Sequence, residues 1–174
     1  MKLQEAIKIN PNAILVHSGT LFDVFNPNME DIKIEDIAHS LSNICRYGGH
    51  SPKFYSVAQH CVICSYDNGS VQEKLEFLMH DASEAYLTDM PRPIKRNMKN
   101  YVDMEDNLLS IIFKKYNLNF PLSDRVHEVD DSALAFEYSS FFEKKDKNFD
   151  FWTPEYSKKM FLDRYYELLS KLEM

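Results

Sequence analysis

Four glycines serve a chain of 174 residues, at positions 19, 48, 49 and 69, and each stands in a segment that also reads as a turn. Such scarcity works against a sandwich or barrel, whose many tight turns and bulges draw on glycine's freedom at positive φ. It favours helices, and the apolar spacing agrees. In IKIEDIAHSLSNICRY (32–47), Ile34, Ile37, Leu41 and Ile44 recur at helical intervals ahead of Gly48-Gly49, which predicts the helix end.

FYSVAQHCVICSYDNG (54–69) predicts a helix started near Ser56 and stopped by Asp67-Asn68-Gly69. VQEKLEFLMHDASEAYL (71–87) predicts the next, running antiparallel to it across a short turn. TDMPRP then breaks the chain. Further helices are expected over 101–118, over 123–144 with Ser123 as cap, and over 155–172. The one β signal is AILVHSGTLFDVFNP (13–27), two short apolar runs about Ser18-Gly19 that read as a hairpin closed by Pro27. Residues 1–30 are therefore expected to form a hairpin appendage. With no repeat, low-complexity tract or linker, the expectation is an all-α bundle of about six helices in one domain, residues 1–174.

Composition narrows the partners. Twenty basic against 27 acidic residues leave a net charge of −7, which argues against binding a nucleic-acid polymer. No apolar run approaches the roughly 18 residues of a membrane span. The start MKLQEAIKINPN lacks a signal's apolar region, and three cysteines are an odd number, so a reduced, cytoplasmic chain is expected. Cys61 and Cys64 have C-x-x-C spacing, but the helical frame reads them as packed thiols.

LMHDASEAYLTDMPRPIK (78–95) concentrates ionisable residues inside an apolar frame. In His80-Asp81-x-x-Glu84 all three side chains can lean to one side of a helix. His60 precedes Asp67 by seven residues and His80 follows Val71 by nine, so at ~1.5 Å per residue they stand roughly 10 and 13 Å from the turn. Two imidazoles and a carboxylate at similar height inside a bundle suit a divalent transition metal, with a fourth ligand from another helix. VHEVDDSAL offers that carboxylate among Val126, Val129, Ala133 and Leu134; spacing does not separate Asp130 from Asp131.

The segment HDASEAYLTDMPRPIK, with His60 upstream in FYSVAQH and an aspartate downstream before an ALAFE-type helix, resembles the HD-domain metal-dependent phosphohydrolases. It looks most like the branch of bacterial 5′-deoxynucleotidases and phage deoxynucleoside triphosphohydrolases. SGTLFDVFNP and IEDIAHSLSNICRYGGH are similar to the leading part of small HD proteins, so the likeness runs over residues 14–140. It implies an HD-domain helical bundle in which His60, His80, Asp81 and Asp130 hold one divalent transition metal: manganese, cobalt, zinc or iron.

The resemblance also implies that Glu84 and Asp89 handle protons, without saying which is acid and which is base. Arg46 would meet phosphate or sugar, Lys95 the phosphates, and Pro93 the base. Tyr47 stands where related deoxynucleotidases carry a tryptophan against the sugar. From residue types alone, Arg46 could instead pair with Glu35 or Asp36. The implied reaction releases phosphate from a deoxynucleotide. The alternatives are triphosphate release from a deoxynucleoside triphosphate such as dATP, or a non-catalytic nucleotide-binding module. Relatives of this branch often form homo-oligomers.

Overall fold

Serines start the helices that carry the candidate site. The side chains of Ser56, Ser70 and Ser123 accept the backbone N–H groups of Gln59, Glu73 and Val126, three residues on, at 3.1, 3.2 and 3.4 Å. Each satisfies a donor that a helix start leaves open. At Ser70 the cap is reciprocal, because Glu73 reaches back to the Ser70 backbone N–H at 2.8 Å.

The computed structural model describes residues 10–143 and 148–172. Residues 1–9, which carry most of the leader reading and open the 1–30 segment, lie outside the described residues, as do 173–174. Residues 144–147, where the helix expected over 123–144 ends and the following loop begins, lie outside them too. The order is β1 (Ala13–Leu15), β2 (Leu21–Asp23), α1 (Ile34–Asn43), α2 (Val57–Cys64), α3 (Val71–Met79), α4 (Glu84–Leu87), α5 (Arg92–Lys95), α6 (Lys99–Lys115), α7 (Asp124–Phe141) and α8 (Pro154–Leu172). α4 and α5 are single turns, and the other six match the expected all-α bundle with its β-hairpin.

α2 is the central element. All but one of its residues are buried, and α8 packs against it and against α1 and α3. A helix apolar on every side has no solvent face to offer, which is why α2 sits inside. Its Gln59 is satisfied by the 148–153 segment: Nε2 donates to the Asp150 carbonyl at 2.6 Å, and Oε1 accepts the Trp152 N–H at 3.0 Å. Arg164 of α8 fixes the other end. It is buried, its Nε donates to Ser65 Oγ at 3.0 Å and its Nη2 to the Ser65 carbonyl at 2.6 Å. Among the described residues no helix is long and apolar enough to cross a membrane.

Three expectations are corrected. The hairpin pairs Ala13–Leu15 with Leu21–Asp23 in antiparallel register, but it is no appendage. Phe22 is fully buried in the core and stacks on Tyr86 with ring centroids 4.2 Å apart. The helix expected over 32–47 stops at Asn43, because Ile44 and Cys45 turn extended and Cys45 forms a single antiparallel bridge with Ser56. Arg46 N–H donates to the Tyr55 carbonyl at 2.9 Å and Val57 N–H to that of Ile44 at 3.1 Å. β-Branched Ile44 suits that extended course, while Gly48 and Gly49 serve the next turn, with φ of 58° and 83° after Tyr47 at 59°.

The helix expected over 71–87 also breaks, at His80–Ser83. There Ala82 and Glu84 donate to the carbonyls three residues back, those of Met79 and Asp81. That tighter winding eclipses residues three apart, so Asp81 and Glu84 share a direction although no single helix holds them.

Replacing Arg164 with methionine should lower unfolding free energy by about 2–3 kcal/mol, since it strands the Ser65 carbonyl and hydroxyl without a charged donor. Urea unfolding followed by circular dichroism checks this; an unchanged midpoint would remove Arg164 from the account of how α2 is held.

Candidate metal centre and its pocket

Three elements meet at the buried end of a cleft. α2 supplies His60, the tight turn after α3 supplies His80 and Asp81, and α7 supplies Asp130. The Nε2 atoms of His60 and His80 stand 3.3 Å apart. His60 Nε2 lies 3.1 Å from Asp130 Oδ1 and 3.9 Å from Asp81 Oδ2, and His80 Nε2 lies 3.8 and 3.3 Å from the same two oxygens. The structure thus brings together all four residues expected as ligands, with Asp130 beside the imidazoles and Asp131 largely exposed.

Both rings are oriented from behind. His60 Nδ1 faces Glu137 Oε1 at 2.6 Å and His80 Nδ1 faces the Phe77 carbonyl at 2.7 Å. A proton on each Nδ1 leaves each Nε2 lone pair pointing at the centre, as for a histidine ligand held by a carboxylate or carbonyl. With bonds of about 2.1 Å, adjacent donors around a cation stand roughly 3.0–3.4 Å apart, and three of the five separations fall in that range. The donor set of two imidazoles and two carboxylates fits a divalent transition metal.

Cys64 is a less suitable donor. Its Sγ lies 3.6 Å from His60 Nε2 and 4.0 Å from Nδ1, nearly equidistant from the two nitrogens. The sulfur therefore rests against the ring, to the side of the Nε2 lone pair. Cys61 is buried near His80 and Asp81, and Cys45, Cys61 and Cys64 are all free thiols.

Burial disfavours a charged imidazole at either position. For His60 the Arg46 guanidinium adds to that penalty, but Cys64, Glu137 and Asp130 hold the pKa well above the usual histidine range. For His80, Asp81, Cys61 and Asp130 do the same. Against its own burial, Asp81 is lowered by His80 and His60, and Asp130 by hydrogen bonds and attraction to both rings. The cluster thus draws positive charge to its centre.

Glu137 is the group that sequence reasoning missed. It is fully buried and accepts from Tyr47 Oη at 2.6 Å and Tyr55 Oη at 2.8 Å, as well as facing His60. Burial would raise its pKa, but His60 and Arg46 bring it down to about 2. Its signal was available: seven residues after Asp130 on the same helix, it lies two turns along the same face.

A cavity of about 250 Å³ opens over Asp81 and Asp130, and its walls include Arg46, Tyr47, Glu84, Asp89, Pro93 and Lys95. Every residue expected to touch substrate or move protons therefore lines it. Arg46 lies 3.4 Å from both Asp81 Oδ2 and Glu137 Oε2, which answers its pairing. Asp36 instead accepts the Ser18 N–H and hydroxyl at 2.7 and 2.8 Å. Lys95 reaches Glu105 at 2.8 Å and Glu84 at 3.4 Å. Burial, then the Asp81 and Asp89 charges, push Glu84 well above the usual carboxylate range; its Oε2 is buried without a hydrogen-bond partner. Asp89 is also raised, chiefly by burial.

Because its pKa is depressed on folding, Glu137 adds stability that is present above about pH 4.5 and is lost as pH falls through about 2. The unfolding free-energy difference between wild type and Glu137→Gln should therefore be largest near neutrality, roughly 3 kcal/mol, and shrink across that window. Metal-free samples unfolded in urea at stepped pH measure it, and a difference independent of pH would contradict the assignment.

No family model matches the chain. It is 46% identical over 126 residues to YfdR, an uncharacterized protein of Escherichia coli, a match that spans 71% of this chain and 69% of YfdR. It is 36% identical over 110 residues to an uncharacterized protein of Rhodobacter capsulatus, across 58% of this chain and 56% of that protein. At that identity and coverage the chain belongs to the family of YfdR.

Proposed function

We propose that this protein is an HD-domain metal-dependent phosphohydrolase that releases phosphate from deoxynucleoside monophosphates. The observation that carries the reading is the convergence of two Nε2 atoms 3.3 Å apart, each 3.1–3.9 Å from an oxygen of Asp81 and of Asp130, at the base of a pocket lined by cations and protonatable acids. The resemblance of HDASEAYLTDMPRPIK to HD phosphohydrolases supports it and supplies the deoxynucleotide as substrate class.

His60, His80, Asp81 and Asp130 would hold one divalent transition metal: manganese, cobalt, zinc or iron. When bound, it would lower the pKa of a water and neutralise charge on a phosphoryl oxygen. The chain's own groups do the rest. Arg46 brings fixed positive charge to the pocket beside Asp81 and orients the phosphoryl group. Glu84, whose carboxyl burial pushes well above the usual range, is placed to carry a proton, and Asp89, also raised, lines the same pocket. Between them they take the proton of the attacking water and return one to the leaving oxygen.

A single phosphate suits the pocket better than three. Of the three cations lining about 250 Å³, Arg46 is tied to Asp81 and Glu137 and Lys95 to Glu105, which leaves the half-exposed Arg92 as the cation most open to phosphate and little charge for a triphosphate. Tyr47, whose hydroxyl is engaged by Glu137, presents its ring to the sugar, and Pro93 faces the base.

The test incubates purified protein with Mn²⁺ or Co²⁺ and panels of deoxynucleoside mono-, di- and triphosphates, with products separated by ion exchange. Expected are inorganic phosphate and deoxynucleoside from monophosphates, at least 100-fold slower in Asp81→Asn. Triphosphate release would turn the reading to the longer substrate, and metal binding with no turnover would leave a nucleotide-binding module. In a second measurement Glu84→Gln should keep its metal while kcat falls about 10²–10⁴-fold; near-normal kcat would take Glu84 out of the chemistry.

A further inference from the structure

Arg92 stands on the pocket wall between Pro91 and Pro93, in the segment that leaves α4 through Thr88 at φ 77°. Its guanidinium forks across two neighbouring carboxylates of α7. Nη1 donates to Asp131 Oδ1 at 2.6 Å and Nη2 to Asp130 Oδ2 at 2.5 Å. The contact with Asp130 is to the oxygen that the imidazoles leave free, since Oδ1 is the atom near His60 and His80.

The three cations lining this pocket differ in how firmly they are held. The side chains of Arg46 and Lys95 are 12% and 24% exposed and paired with acids that are buried or nearly so. Arg92 is 49% exposed, and its partner Asp131 is 63% exposed and lines no part of the pocket. An ion pair so open to water and salt adds little stability and exchanges readily. A phosphoryl dianion inside the cavity offers the same fork two charge-assisted acceptors in a drier setting.

We propose that Arg92 is a substrate-phosphate residue that rests on Asp130 and Asp131 when the pocket is empty and transfers the arm held by Asp131 to the phosphoryl oxygens when substrate enters. The inference rests on the phosphohydrolase reading for the identity of the anion. Asp131 is then a competitor for the arginine, and this sets the role apart from a structural tie. If Arg92 merely braced α7, removing either partner would break the same brace and act in the same direction. If it binds phosphate, removing Asp131 releases one arm of the fork, leaving it on Asp130 alone, and removing Arg92 abolishes it.

The experiment titrates inorganic phosphate into wild type, Arg92→Ala and Asp131→Asn in Mn²⁺ buffer by calorimetry, with bound metal measured on the same samples. Circular dichroism confirms that each variant is folded. Phosphate affinity should fall roughly 10-fold or more in Arg92→Ala and rise roughly two- to fivefold in Asp131→Asn. Shifts in the same direction, no change in Arg92→Ala, or no phosphate binding by wild type would overturn the proposal. Opposite shifts in a protein that holds no metal would keep Arg92 as an anion residue and sink the phosphohydrolase reading instead.

Discussion

The contact between His60 and Glu137 is the constraint that the rest of the structure answers. An imidazole and a carboxylate with no solvent exposure are costly unless each finds partners. Glu137 finds four: the His60 ring, the hydroxyls of Tyr47 and Tyr55, and the Arg46 guanidinium. Meeting these needs draws residues 46–55 against α7 and seats α2 between them. The aromatic rings of Phe141, Phe149 and Phe151 pack around Tyr55, whose hydroxyl reaches the carboxylate. With Nδ1 occupied, His60 can present only Nε2 to the cleft.

Opposite functions thus fall to opposite edges of one ring. The core edge is held by Glu137, and the cleft edge faces Asp130 and Asp81. His80 repeats the arrangement with a backbone carbonyl in place of the carboxylate. The tight turn at His80–Ser83 then sets Asp81 into the centre and Glu84 above it. Glu84, Asp89, Lys95 and Arg92 ring the cavity as groups whose charge the pocket itself controls, through burial for the acids and ion pairs for the cations.

Much of this was legible in the sequence because the signals are local. Ser56, Ser70 and Ser123 mark helix starts through chemistry confined to one turn, and rise per residue set His60 beside His80 before any contact was known. What stayed hidden depends on tertiary partners. Ile44 and Cys45 continue a helical pattern, yet Ser56 offers Cys45 a bridge partner that no window of sequence contains. The break at His80–Ser83 has no proline or glycine to announce it. Phe22 reads as one apolar residue in a short hairpin, and its burial follows only from Tyr86 arriving beneath it. Glu137 sits in an unremarkable ALAFE run, and its role becomes visible only with His60 across from it.

The central claim is that His60, His80, Asp81 and Asp130 hold one cation. Crystals grown with Co²⁺ and measured at the cobalt absorption edge test it most directly. The account predicts a single strong anomalous peak about 2.0–2.2 Å from both Nε2 atoms and from an oxygen of each aspartate. A peak bonded to Cys61 or Cys64, or an empty cluster in protein saturated with cobalt, would contradict it.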